Sequence, residues 1–191
     1  MNKKNNVILN AFKNSLIASC QPIPKGPLDT PSFVLASAKA SIIGGAKGLR
    51  IEGFENLRII KKNIKLPIIG IKKRNLKNYP IIITPYLTDI EKLADLGADI
   101  IAFDATKRKR PFSVTQIISK IHSLKKIAMA DCSNLSEANF AIDNGADIVS
   151  TTLSGYTGQR EVPKNPDFKL LNSLISKFKV PIIAEIGRAH V

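Results

Sequence analysis

The sequence predicts an α/β fold, a TIM-type (β/α)8 barrel that is incomplete as it stands. Three observations predict it. Apolar, β-branched runs alternate with segments of helical period, the pattern of a parallel sheet with crossover helices. Each run finishes on a residue capable of chemistry, and functional groups gathered at the carboxyl ends of parallel strands mark a barrel active site. The joints Gly45-Ala46, Gly97-Ala-Asp-Ile-Ile101 and Gly145-Ala-Asp-Ile-Val149 recur about every fifty residues, each glycine placed to close a helix before the next strand.

The elements follow in order. Lys3 and Lys4 precede Val7-Ile-Leu9, and Asn10, Lys13 and Asn14 break that run too early for a signal peptide. The segment reads as a short amphipathic helix leading into the first strand, Leu16-Ile-Ala-Ser-Cys-Gln21. Thr30 is a candidate N-cap with Pro31 at the first helical position. That helix runs through Phe33-Val-Leu35 and stops near Gly44-Gly45. The second strand is Leu49-Arg-Ile-Glu52 and the third is Pro67-Ile-Ile-Gly-Ile-Lys-Lys-Arg74. Ile81-Ile-Ile-Thr84 has strand composition but lies too close to Ile71 for a crossover helix between parallel neighbours. It is read as a short extension inside the loop after strand three. Thr88-Asp-Ile-Glu91 has capping-box spacing, and its helix places Ile90, Leu93 and Ala94 on one face before Gly97.

Strand four is Ile100-Ile-Ala-Phe-Asp104, followed by a helical stripe of Val114, Ile117, Ile118 and Ile121. Ile127-Ala-Met-Ala-Asp131 and Ile148-Val-Ser-Thr-Thr152 are strands five and six. A stripe of Leu170, Leu171, Leu174, Ile175 and Phe178 precedes strand seven, Ile182-Ile-Ala-Glu185. A closed barrel of this class has eight strands. The reading is therefore residues 1–185 as an incomplete barrel catalytic domain of about seven strands. The terminal Ile186-Gly-Arg-Ala-His-Val191 is what ATC-GGA-AGA-GCA-CAC-GTC encodes, which resembles the start of a common sequencing adapter. Residues 186–191 are expected to be a non-native tail, and His190 is given no role.

Composition bounds the function. The 191 residues suit one domain, and a hydrophobic fraction of 44% supplies a core. No apolar run reaches the length needed to span a bilayer, so no membrane partner is expected. Two cysteines and no export signal point to a reducing cytoplasm. The net charge of +14 fits affinity for nucleic acid or another anion, and it also fits the Lys-, Ile- and Asn-rich coding of an AT-rich genome. The lysines are spread over most segments and aromatics for base stacking are few, so the second reading is preferred and nucleic acid is not expected as a partner. Lys107-Arg-Lys-Arg110 could be a nuclear-localisation or nucleic-acid patch. Its place directly after a strand end favours a substrate-facing loop, with Lys107 and Lys109 solvated. Two histidines and two cysteines are too few to suggest structural zinc, and no metal or cofactor is expected. Cys20 and Cys132 read as packed thiols, and His122 as a surface residue beside its helix stripe.

Taken together, several short pieces resemble a known family. In order they are Ser19-Cys-Gln21, Gly48-Leu-Arg50, Pro67-Ile-Ile-Gly70 with Lys73-Arg74, and Ile83-Thr-Pro85. Asp104-Ala-Thr106 follows with Arg108 and Arg110-Pro111, then Met129-Ala-Asp131, Thr151-Thr-Leu-Ser-Gly-Tyr-Thr157 and Ile183-Ala-Glu185. The ordered set, from about Leu16 to Glu185, resembles the N-acetylmannosamine-6-phosphate 2-epimerases of the ribulose-phosphate-binding barrels.

The resemblance implies reversible conversion of N-acetylmannosamine 6-phosphate to N-acetylglucosamine 6-phosphate, in amino-sugar or sialic-acid metabolism. The C2 proton is removed and returned on the other face, through an enolate-like state that the protein must stabilise. It implies Lys73 as the proton-transferring residue and Glu185 as its partner. Arg50 and Asp131 would hold the sugar and its carbonyl, with Gln21 orienting it. Thr84, Asp104, Arg108, Arg110, Thr152, Ser154, Gly155 and Tyr156 fall on matched motifs and are the remaining substrate-binding candidates. The expected partner is a phosphorylated N-acetylhexosamine, and a homodimer is left open. The family continues after the glutamate with Gly-Arg, a helix, an eighth strand and a glycine-rich phosphate loop. Here Ile186 intervenes before Gly187-Arg188 and the eighth strand and phosphate loop are missing, so the chain as written is expected to be inactive.

Each residue also has a plainer reading. Lys73 could be one solvated cation in Lys72-Lys73-Arg74, and as a base it needs burial and Arg74 or Arg50 nearby to lower its pKa. Glu185 and Arg50 could be ordinary ion-pair partners, and one of Asp104 and Asp131 could cap a helix or orient a cation. A Schiff-base aldolase using Lys73 as a nucleophile is the alternative enzyme.

Overall fold

The structure is a computed structural model that describes residues 3–158 and 165–185. The expected tail at 186–191 lies outside the described residues.

Seven parallel strands lie in sequence order: β1 (Ile17–Cys20), β2 (Gly48–Glu52), β3 (Ile68–Ile71), β4 (Ile100–Asp104), β5 (Ile127–Asp131), β6 (Ile148–Ser150) and β7 (Ile182–Ile183). Helices α2 (Pro31–Ile43), α3 (Phe54–Asn63), α4 (Leu87–Asp95), α5 (Val114–Ser123), α6 (Leu135–Asp143) and α7 (Phe168–Lys177) connect them in turn. The expected seven strands are all present, and among the described residues β1 and β7 are not paired with each other. The arrangement is an incomplete (β/α) barrel. Every residue of β4 and of β5 is buried, as a parallel strand covered on both faces requires.

The apolar residues separate into two cores. Leu49, Ile51, Ile68, Ile101, Phe103, Ala128, Ala130 and Val149 face the helices. Ile69, Ile71, Ile100, Ala102, Ile127, Met129 and Ile148 face inward. Helix α1 (Lys3–Phe12) joins this inner core through Ile8, Leu9 and Phe12, so it packs inside the curve of the sheet rather than in the outer ring. Gly48 makes that possible, because a Cβ there would overlap the Phe12 ring.

The local signals are mostly realised. Thr30 Oγ1 accepts the Phe33 N–H at 3.2 Å, with Pro31 opening α2. Gly45, Gly97 and Gly145 have φ of 99°, 91° and 99°, so the recurring joint is a left-handed helix stop used three times. Ile81–Thr84 runs back along the end of β3, with Ile83 bridged antiparallel to Lys73.

Two local expectations are corrected. The box at Thr88–Glu91 does not form: α4 begins after Tyr86, with no side-chain cap. Tyr86 is fixed from outside its own helix, edge-on to Phe112 at 6.4 Å and beneath Arg74 at 5.8 Å, and this moves the helix start two residues earlier. A true capping box opens α5 instead, where Ser113 and Gln116 bond each other's backbone N–H. Ile175 is 58% exposed, whereas Leu170 and Leu174 are buried. Helix α7 thus presents a narrower stripe than its composition suggests.

Candidate active site

Strand alternation dictates which residues share the inner face. In β2, Leu49 and Ile51 point to the helices, so Arg50 and Glu52 point inward. In β5 the inward residues Ile127 and Met129 lead to Asp131 at the carboxyl end. Arg50 and Asp131, 3% and 0% exposed, meet there. Arg50 Nη1 donates to Asp131 Oδ1 at 3.2 Å and Nη2 to Oδ2 at 2.7 Å. Asp131 Oδ1 also accepts the hydroxyls of Ser150 at 2.8 Å and Thr152 at 2.9 Å. A buried carboxylate holding four donors is fully satisfied, as its loss of water demands.

Glu185 extends this group from the end of β7. Its Oε1 lies 3.3 Å from Arg50 Nε, an ion pair whose geometry does not make a hydrogen bond. Its backbone N–H donates to Thr151 Oγ1 at 3.1 Å. Burial pushes the Glu185 carboxyl up from 4.5; Arg50 opposes that, Asp131 adds to it, and a Thr152 hydrogen bond and Lys73 oppose it again. Burial works against the Arg50 charge, but Asp131 and then Glu185 outweigh it and hold the guanidinium above its ordinary range.

The run Lys72-Lys73-Arg74 divides three ways. Lys72 Nζ bonds Glu52 Oε1 at 3.1 Å and stands 5.5 Å from the centre of the Phe54 ring. Arg74 clasps the buried Asp89 through Nε at 2.8 Å and Nη2 at 2.6 Å. Among the described residues, no carboxylate lies within ion-pair reach of the Lys73 ammonium. Lys73 stands at the barrel mouth, open to solvent on one side. The surrounding protein still removes enough water to lower its pKa from 10.5, and Arg50 lowers it further against the pull of Glu52, Glu185 and Asp131. Burial and Arg50 are therefore the causes; Arg74 is occupied elsewhere.

Other sequence candidates are engaged in holding loops. Asp104, 1% exposed, accepts the Thr106 hydroxyl, Arg108 Nη2 at 2.6 Å and Arg110 Nη2 at 3.2 Å. Arg110 also bonds the carbonyls of Asp104 and Thr106. Asp104 thus orients cations, one of the two plainer roles open to it. Thr84 has φ 47°, and its hydroxyl donates to Ala102 O at 2.7 Å while accepting the Lys72 N–H at 3.3 Å. Ser154 donates to Asp167, which caps α7. Gly155 is buried at φ 84°, and Tyr156 is 46% exposed. Gln21 donates to Ser19 Oγ at 2.5 Å, beside a cavity of about 160 Å³.

Lys107 and Lys109 are exposed but not without contacts, Lys107 on Ser136 and Lys109 over the Tyr79 ring. His122 contacts Asp147 at 2.9 Å from the surface. Cys20 and Cys132 are buried free thiols, and burial pushes the Cys132 thiol well up. No group of His, Cys, Asp or Glu among the described residues could hold a metal ion, and no helix is long and apolar enough to cross a membrane.

Sequence reasoning did not single out Ser150, Glu52 or Glu137. The inward parity of β2 and β6, counted from Arg50 and Thr152, would have found the first two. Glu137, 2% exposed, takes the backbone N–H groups of Lys107 and Ser133 and ties the loops after β4 and β5 together.

The comparisons with known proteins bear on family and fold. The family model NanE, described as "Putative N-acetylmannosamine-6-phosphate epimerase", matches residues 34–191. A relative of that designation from Actinobacillus pleuropneumoniae is 52% identical over 167 residues, covering 87% of this chain and 72% of its own. Another, from Haemophilus influenzae, is 50% identical over 169 residues, covering 88% and 74%. The solved N-acetylmannosamine-6-phosphate 2-epimerase of Clostridium perfringens superposes with a TM-score of 0.91 at 40% identity, covering 96% of this chain and 80% of that one. With sequence and fold in agreement, the chain belongs to the N-acetylmannosamine-6-phosphate epimerase family.

Proposed function

We propose that the protein interconverts N-acetylmannosamine 6-phosphate and N-acetylglucosamine 6-phosphate by moving the C2 proton. The observation that carries this reading is a Lys73 amine with no carboxylate in ion-pair reach among the described residues, beside the Arg50–Asp131–Glu185 group. A lysine in its neutral form is a base. Its lone pair takes the C2 proton, the C–H electrons move toward the C1 carbonyl, and charge develops on that oxygen. Arg50, fixed by Asp131, offers a positive field that needs no reorganisation as the charge appears. Glu185, whose carboxyl burial pushes up from its ordinary value, exchanges a proton with that oxygen. Reversal of both transfers, with the proton delivered to the opposite face of the planar enol and the oxygen's proton returned to Glu185, gives the epimer and restores both residues. The net charge of +14 is compatible with an anionic, phosphorylated substrate.

The setting that fits best is the cytoplasm, in amino-sugar metabolism. Family membership favours this reading over an imine-forming aldolase and over a nucleic-acid-binding protein. The test is to incubate the full-length protein with N-acetylmannosamine 6-phosphate in deuterium oxide. Deuterium at C2 and formation of the gluco epimer are expected, with no covalent trapping on Lys73 by borohydride. A trapped Lys73 adduct, or no exchange at all, would remove the reading.

A further inference from the structure

Glu52 closes β2 and shares the inward face with Arg50. Beyond it the chain turns away at Gly53, φ 90°, into α3. A continued strand would have offered a carbonyl to the next N–H of the neighbouring chain, that of Lys73. The Glu52 side chain takes that place, and its Oε1 accepts the Lys73 N–H at 3.1 Å. The peptides on either side are fixed differently. Lys72 N–H donates to Thr84 Oγ1 at 3.3 Å, and Arg74 N–H to Ile82 O at 3.0 Å. The backbone on which the Lys73 side chain stands is therefore held from one side by the returning segment Ile81–Thr84 and from the other by one carboxylate.

The same Oε1 is bonded by Lys72 Nζ at 3.1 Å, and Asn56 Nδ2 holds the Glu52 carbonyl at 2.9 Å. A carboxylate this close to Lys73 would, left alone, draw the Lys73 ammonium onto itself and keep it charged. Lys72 Nζ competes for that carboxylate by bonding the same Oε1. We propose that Glu52 and Lys72 form a positioning pair for Lys73, in which Glu52 fixes the Lys73 peptide and Lys72 keeps the carboxylate off the Lys73 amine. The inference rests on the reading of Lys73 as the proton-transferring residue. The charged groups facing Lys73 are Arg50 and Glu52 from β2, Asp131 from β5 and Glu185 beyond β7, with Lys72 and Arg74 beside it in the chain.

The pair is tested in the full-length protein with Glu52→Gln, Glu52→Ala and Lys72→Met. Glu52→Gln keeps an oxygen for the Lys73 N–H and removes the charge. Glu52→Ala removes both, and Lys72→Met keeps the apolar stem without the cation. Lysines are labelled by reductive ¹³C-methylation, the Lys73 signal is assigned against Lys73→Arg, and its titration is followed by NMR. The pH profile of C2 deuterium exchange is measured beside it. Lys72→Met should raise the Lys73 pKa and move the rising limb of the profile to higher pH. Glu52→Gln should lower both while keeping the maximal rate. Glu52→Ala should lower kcat about tenfold with KM little changed, since a misplaced catalytic group costs rate more than binding. An unchanged Lys73 titration in all three variants overturns the pair, as does a wild-type kcat in Glu52→Ala. If the unsubstituted protein gives no exchange, the functional reading fails, and the titration still decides whether Glu52 and Lys72 govern Lys73.

Discussion

Arg50 and Asp131, 81 positions apart, meet in a two-point ion pair that water does not reach. A buried charge keeps its full desolvation cost when its partner leaves. Asp131→Asn is expected to destabilise the protein by about 3–5 kcal/mol, read from urea unfolding. Arg50→Lys keeps a charge but loses the planar fork, and it should reduce turnover while costing about 1–3 kcal/mol. Wild-type unfolding midpoints for both variants would mean that the pair is not sealed.

Removing the Lys73 amine removes the proposed base. Lys73→Ala should slow C2 deuterium exchange about 10²–10⁴-fold, with an unchanged circular dichroism spectrum. Exchange within a factor of a few of wild type would take Lys73 out of the reaction.

The Glu185 carboxyl is held above 4.5 in the folded state, chiefly by burial. The folded protein then binds more protons than the unfolded chain between that value and its raised pKa. The stabilising contribution is fully present below 4.5 and is lost as pH climbs through the raised pKa. Glu185→Gln should remove this dependence, so that the stability difference between variant and wild type changes across that window. A constant difference would contradict the shift.

Helix capping gives a test away from the chemistry. Ser113→Ala should destabilise by about 1 kcal/mol through loss of the α5 cap. Thr88→Ala should cost a few tenths at most, since Thr88 lies within α4 and caps nothing. The reverse order would restore the box at Thr88–Glu91.

Much of the molecule was legible because one rule repeats. An apolar strand with a polar terminus must be covered on both faces, and its last inward residue must face the barrel mouth. That rule marked the strand ends, from which the family resemblance picked out Arg50, Lys73, Asp131 and Glu185. Parity with Ile69 and Ile71 sets Lys73 apart from its neighbours, and packing shows where those go: Lys72 to Glu52 and Phe54, Arg74 to Asp89. Ser150 was passed over because its residue type does not mark it; only its parity with Thr152 does. Thr84 matched a motif, yet its hydroxyl is committed to backbone groups on two strands. The Thr88 signal was real as spacing and lost to contacts from Phe112 and Arg74, which no window of local sequence contains.

The loop Lys107–Arg110 carries a consequence for proteolysis. Trypsin needs a basic side chain free to enter its pocket and a backbone able to extend. Three bonds in this loop follow a lysine or arginine in suitable sequence, Arg110 being shielded by Pro111. Arg108 and Arg110 are instead wound back onto Asp104, and the Lys107 N–H is clipped to Glu137. The folded protein should resist nicking at its most basic stretch, and Asp104→Asn should turn that stretch into the first cut on a gel. A cluster that looks like a cleavage site in the sequence is, in the fold, a knot tied around one carboxylate.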